Sequence, residues 1–273
     1  MGDASEGTPR PPPPLIAGRP SGAAAEAADA ARVPAGGAAP RLAARAVERA
    51  LDSVGYLLFL FFFVVGQPLV RCLYRVRVEG RCRLRPGEPA IVAANHSSYA
   101  DPIFVQLAVP RRILFLMTDV FYAIPWARWF FRILGCLPVA ERGRPGNVAT
   151  VRESARLLAA GRTLGIFPEG GLSPDGSLQR GRTGVARLML QTGVRVLPVG
   201  IVGSFEVMSR PSPRLRFFRA ITIRIGEPIA PPRRGDGDAM SRAEASALTG
   251  RIMSALSELT GLSLPADEES AAV

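Results

Sequence analysis

The chain has 273 residues, a formal net charge of +11 and 48% hydrophobic residues, long enough for one sizeable domain or two small ones. All 34 basic residues are arginine, a coding bias that still leaves a basic surface for nucleic acid, anionic lipid or acidic substrates to meet. Nucleic acid is set aside, because no groove-reading helix motif or aromatic RNA-binding signature is present. Cys72, Cys82 and Cys136 are odd in number and form no close pair. That argues against a disulfide framework or a zinc site and fits a reducing compartment.

Residues 1 to about 40 are rich in Pro, Ala and Gly and are expected to be a disordered tail, since they carry too few large apolar groups to offset the entropy of ordering. They lack the basic-then-apolar start of a secretory signal. A membrane-associating helical segment is expected over 41–70. No charge occurs from Ser53 to Val70, and Tyr56 to Val65 is apolar without a break. Eighteen helical residues reach roughly 27 Å, near the hydrocarbon thickness. Gln67 and Pro68 weaken the end, so a full span and a helix dipping into one leaflet both stay open, with a buried core helix as the soluble alternative. Arg71, Arg75, Arg77, Arg81, Arg83 and Arg85 follow at once, which predicts the cytoplasmic face of the cell membrane for the rest of the chain.

The stretches Arg75–Val78 and Arg81–Arg85 alternate with period two, as half-buried strands do. Strands are then predicted at Ala90–Ala94, Ile113–Met117, Thr163–Phe167, Val194–Val202 and, nearer an edge, Ile221–Ile225. Helices are predicted at Pro102–Val109, Pro125–Leu134 (bearing Trp126 and Trp129), Asn147–Ala160 and Gly184–Thr192. A capping box at Ser241 to Glu244 opens a last helix. The alternation predicts an α/β fold with a mixed, mostly parallel central sheet flanked by helices, one domain over 71–262, then an acidic flexible tail over 263–273.

His96 is the only histidine and directly follows a predicted strand, where α/β sheets present ligand sites. Asp101 lies five residues on. In a continuous helix the two side chains would diverge by about 140°, so contact requires a loop histidine. Asp101-Pro102 reads as a helix N-cap followed by Pro at the first helical position. Capping alone is one role for Asp101. The other is to hold one ring nitrogen of His96, leaving the second nitrogen to act as a general base. Phe167-Pro168-Glu169-Gly170-Gly171 follows another predicted strand and should emerge beside His96. Arg180-Gly181-Arg182-Thr183-Gly184 precedes a helix and suits phosphate, although it is not a P-loop. Each of these two stretches also reads as an ordinary loop.

Together these blocks resemble the glycerolipid acyltransferase family, typified by bacterial lysophosphatidic acid acyltransferases. The matching residues are Asn95-His96 to Asp101, Phe167 to Gly170, Leu197-Pro198-Val199, and Gly135 through Arg142, within about residues 50 to 230. The resemblance implies that His96 deprotonates an acceptor hydroxyl, supported by Asp101. The acyl group would come from acyl-CoA or acyl-carrier protein as co-substrate, with no cofactor and no metal. It further implies a lysophospholipid acceptor whose glycerol phosphate is bound by Glu169, Gly170 and Arg142, beside membrane lipid. Asn95, Ser97, Phe167, Pro168 and Gly171 are further candidate substrate contacts, and Arg180 and Arg182 are expected from their own sequence context to supply positive charge. Where the family often has Thr-Arg, this chain has Gly171-Leu172. Its second-block arginine falls one residue late, at Arg142, and Thr118 and Val120 replace a common Lys and Glu. These departures touch head-group recognition, so another lysophospholipid or a glycolipid is an alternative acceptor. A non-catalytic membrane adaptor is a further alternative. A serine hydrolase is disfavoured, because no Gly-x-Ser-x-Gly elbow occurs.

Overall fold

The computed structural model describes residues 38–118, 128, 131, 132, 134, 136–139, 147–232 and 241–265. Residues 1–37 of the expected tail, most of the expected helix Pro125–Leu134, Arg142 and the tail beyond Pro265 lie outside the described residues. Residues 48–273 make one compact unit.

Helix α1 (Ala38–Phe61), a π-helical turn (Phe62–Gly66) and helix α2 (Gln67–Leu73) follow one another without a break. Pro68 lacks an N–H, and its ring crowds the carbonyl four residues back. The π turn before it widens the helix, with the Gln67 amide bonded to the Phe62 carbonyl. The helix therefore continues through Pro68 to Leu73. The stretch Ala50–Leu73 is long and apolar enough to cross a membrane, with only 6% of its most apolar window buried.

Strands β1 (Arg75–Glu79), β2 (Ala90–Ala94), β3 (Ile113–Thr118), β4 (Leu137–Val139), β5 (Thr163–Ile166), β6 (Arg195–Val202) and β7 (Ala220–Ile225) form one sheet in the order β1-β7-β6-β2-β5-β3-β4. All pairings are parallel except β6 with β7. This is the expected mixed, mostly parallel sheet. Strand β2 lies inside it and is buried at every residue, as its short apolar run requires. Val92 and Ala94 join the core that includes Phe104 and Val105 of helix α3 (Asp101–Ala108). Ile91 and Ala93 join the opposite core. That core takes Leu158 from helix α4 (Asn147–Ala159), Val185 and Leu188 from α5 (Gly184–Thr192), and Leu248 and Ile252 from α6 (Arg242–Thr260). Burial of each such side chain stabilises the fold by about 1.5–3 kcal/mol. Helix α6 carries the expected capping box: the Glu244 amide donates to Ser241 Oγ and the Ser241 amide to the Glu244 carboxylate.

Two local expectations change. Residues 81–85 are not a strand. The preceding strand β1 pairs with β7, and that ladder ends at Glu79 against Arg224, so the chain leaves the sheet before residue 81. Instead Arg111 donates to the carbonyls of Arg85 and Glu88. Asp101 is the first residue of α3, with Ala100 in the cap position, so Asp101 does not cap the helix.

Candidate active site

Strands β2 and β5 are parallel neighbours, with Ala93 opposite Ile166. Their C-terminal ends therefore deliver Asn95-His96 and Phe167-Pro168-Glu169 to the same sheet edge. Asn95 continues the β2–β6 contact with its side chain, donating to the Ile201 carbonyl (2.9 Å) and accepting from its amide (2.7 Å). It is buried, as is Ser97, whose hydroxyl pairs with Ser204 at 3.0 Å. Both hold the loop.

The His96 ring lies flat on Phe167, with centroids 3.9 Å apart and planes 12° from parallel. Phe115 extends the stack, 6.0 Å from Phe167. Gly165 leaves the room, since a β-carbon there would run into the Phe115 ring. One ring nitrogen, Nδ1, meets Asp101 Oδ2 at 3.0 Å. The same oxygen accepts from the amides of Ser97 (2.8 Å) and Ser98 (2.7 Å). A carboxylate so placed accepts a proton-bearing Nδ1, which leaves Nε2 as the lone-pair nitrogen; this tautomer is assigned from the bonding pattern. Nε2 bonds to no described residue, and the side chain retains 16% exposure while Asp101 has none. The geometry needs both departures from a continuous helix: a loop histidine, and an aspartate at the start of α3 reaching back over its own loop.

Glu169 sits behind the histidine. Its Oε1 accepts from the His96 amide (2.7 Å) and its Oε2 from the Gln179 amide (3.0 Å). Burial pushes its carboxyl from 4.5 to about 7; the two amide bonds oppose that rise, and the negative charge of Asp101 adds to it. The Ser173 amide donates to the His96 carbonyl at 2.8 Å, so the two loops are joined from both ends of the histidine backbone. Gly170 takes φ +70°, and a β-carbon there would stand 2.5 Å from Nε of Arg182. The Arg182 amide donates to the buried Pro168 carbonyl at 2.7 Å. The structure thus brings the Arg182 loop against the Phe167–Gly170 block. Gly171 and Arg180 are exposed. Arg142 lies outside the described residues. Ile201, Ser204, Met208 and Gln179 support the site without any sequence signal, because three of them act through backbone groups. Among the described residues no group of three or more His, Cys, Asp or Glu is placed to hold a metal ion.

The profile of the acyltransferase family matches residues 75–202, the stretch that contains the sheet edge described above. Residues 75–202 are an acyltransferase-family domain. The solved 1-acyl-sn-glycerophosphate (LPA) acyltransferase PlsC from Thermotoga maritima is similar, with TM-score 0.54 and 25% identity over 87% of this chain and 88% of that one. A chloroplastic 1-acyl-sn-glycerol-3-phosphate acyltransferase, LPAT1, from Arabidopsis thaliana is 27% identical over 157 residues, 57% of this chain and 44% of that protein. The lyso-ornithine lipid O-acyltransferase of Pseudomonas aeruginosa is 35% identical over 131 residues, 47% of each chain. The match therefore spans less than half the length of these two curated relatives.

Proposed function

We propose that this chain is an O-acyltransferase that moves a fatty acyl group from acyl-CoA or acyl-carrier protein to the free hydroxyl of lysophosphatidic acid, giving phosphatidic acid. The observation that carries this reading is the His96–Asp101 pair, with Nδ1 held at 3.0 Å and Nε2 left to the acceptor. Nε2 takes the proton of the acceptor hydroxyl as its oxygen attacks the thioester carbonyl. Asp101 stabilises the imidazolium that forms. Collapse of the tetrahedral intermediate breaks the C–S bond, and the departing thiolate takes the proton from His96. General-base assistance of this kind is worth about 10²–10⁴-fold. Phe167 keeps the ring in plane, and Glu169 keeps the His96 backbone in place, acting as a positioning residue through both its oxygens. Arg180 and Arg182 supply positive charge for the acceptor phosphate.

The exposed apolar stretch Ala50–Leu73 supports a membrane location, and the arginines after it support the cytoplasmic face. Helical rise gives those 24 residues about 36 Å, enough to cross the hydrocarbon layer. A second reading keeps the chemistry and changes the acceptor to another lysolipid. It is favoured by the departures at Thr118, Val120 and Gly171-Leu172, and by the lyso-ornithine lipid named for the Pseudomonas relative.

The deciding experiment supplies purified full-length protein with one labelled acyl-CoA and a panel of lysolipids, and identifies the product by mass. Phosphatidic acid as the main product supports the first reading, and an acylated different lysolipid supports the second. Undiminished turnover by His96→Ala sinks both.

A further inference from the structure

A second surface carries the chemistry of a lipid contact. Between β6 and β7 the chain runs through Arg214-Leu215-Arg216-Phe217-Phe218-Arg219, all exposed. Leu215 is 49% exposed, Phe217 44% and Phe218 71%. Phe218 is the one non-glycine residue with positive φ among those described, at 61°, a conformation that bulky side chains avoid. Its turn is held in place by backbone bonds. The Phe218 amide donates to the Leu73 carbonyl (2.8 Å) and the Arg75 amide to the Arg219 carbonyl (3.0 Å). These bonds fasten the turn to the junction of α2 and β1, where the exposed apolar stretch ends. Phe217 also packs on Tyr74, with ring centroids 6.0 Å apart.

The charge around the turn is one-sided. Between residues 203 and 225 the only acidic side chain is Glu206, which lies 3.8 Å from Arg216. Arg214 and Arg219 flank the exposed aromatics. Aromatic rings flanked by arginine suit the boundary between acyl chains and anionic headgroups: the rings enter the boundary while the guanidinium groups stay with phosphate.

We infer that residues 214–219 form a second lipid-binding element that seats Phe217 and Phe218 in the headgroup boundary of an anionic bilayer. This rests on the reading of Ala50–Leu73 as a membrane anchor. The anchor alone fixes one line through the domain and leaves it free to roll. A second contact to one side of that line, through Phe217 and Phe218, limits the roll. The same turn is bound to the histidine loop, because the Arg216 amide donates to the Val207 carbonyl and the Tyr99 amide to the Met208 carbonyl. Seating the turn therefore sets the height of His96 relative to the lipid surface.

The test uses full-length protein with Cys72→Ser, Cys82→Ser and Cys136→Ser, labelled with nitrobenzoxadiazole at Phe218→Cys or, separately, at Leu57→Cys. Each sample is placed in phosphatidylcholine vesicles with or without phosphatidylglycerol. The expected result is blue-shifted emission at 218, quenched by spin-labelled headgroup lipid. The shift should be larger with phosphatidylglycerol and reduced by Arg214→Gln with Arg219→Gln. Water-like emission at 218 with quenching at 57 overturns this inference and leaves the anchor standing. Water-like emission at both positions overturns the anchor reading too. Blue-shifted emission at 218 without lipid quenching assigns the patch to a protein contact and overturns the inference. A label at Leu215→Cys, which lacks the positive φ, gives the same readout if the turn does not tolerate substitution at 218.

Discussion

The sheet edge at His96 and the helix Ala50–Leu73 invert the usual solvent rule in opposite directions. At the edge, polar groups are buried: Asn95, Ser97, Ser98, Asp101 and Glu169 are all below the surface. On the helix, apolar groups are exposed, with Leu57 at 64%, Phe61 at 62% and Val64 at 69%. The edge bears its buried polar groups because nearly every one is hydrogen-bonded, many of them to backbone amides and carbonyls. On the membrane-anchor reading, the helix bears its exposed apolar groups because its solvent is lipid. One region is defined by internal bonds and the other by what lies outside the protein, so substitutions in the two should separate folding from location.

The largest effect is expected at the base. His96→Ala should lower kcat by about 10²–10⁴-fold in the acyl-transfer assay, while the thermal midpoint and vesicle binding stay near those of the parent. Asp101→Ala should reach both folding and chemistry. It strips one acceptor from two buried amides and the ring, so urea unfolding should show a loss of about 3 kcal/mol or more beside a fall in kcat. Asp101→Asn should recover much of the stability and little of the rate.

Glu169 gives a smaller effect with a definite sign. Its folded carboxyl titrates at about 7, against 4.5 for the ordinary group. Below about 4.5 both folded and unfolded forms hold the proton. Between 4.5 and 7 the unfolded chain releases it first, so this group's contribution falls as pH rises, by about 3 kcal/mol in all. Stability measured from pH 4 to 8 should show that downward slope, and Glu169→Gln should flatten it. An unchanged slope in the variant would refute the assignment.

The smallest effect on folding is expected from the anchor surface. Leu57→Ser with Phe61→Ser should change stability by no more than about 0.5 kcal/mol per site yet shift protein from vesicle-bound to free in a flotation assay. Asp52→Ala lies between the regions. Asp52 accepts from Arg112 at 2.6 Å and pairs with Arg162, so it ties the start of the apolar helix to the starts of β3 and β5. Its half-exposed ion pairs predict a loss of about 1 kcal/mol.

Much of the fold was legible because it rests on local periodicity. Strand β2, helix α5 and the Ser241–Glu244 cap occur at the residues where apolar patterning and cap chemistry put them. The Arg81–Arg85 alternation was misleading for the opposite reason: a strand needs a partner strand, and no pattern within those residues says whether one lies beside them. Pro68 weakens the end of the expected helix and left a full span and a shorter dip both open, yet a π turn five residues long precedes it and the helix continues.

The candidate site divides in the same way. The sequence alone determined that His96 follows a strand, that Asp101 stands too far round a helix to meet it without a loop, and that Phe167–Gly170 emerges from another strand. Those statements depend on residues close in the chain. Only the tertiary structure decided that β2 lies between β5 and β6. That order turns Asn95 onto Ile201, Ser97 onto Ser204, and Glu169 onto the amides of His96 and Gln179. Glu169 is expected from the sequence to meet the head group; in the fold both its oxygens accept from main-chain amides. Its partners are main-chain groups, which every residue possesses and which therefore leave no mark on the sequence.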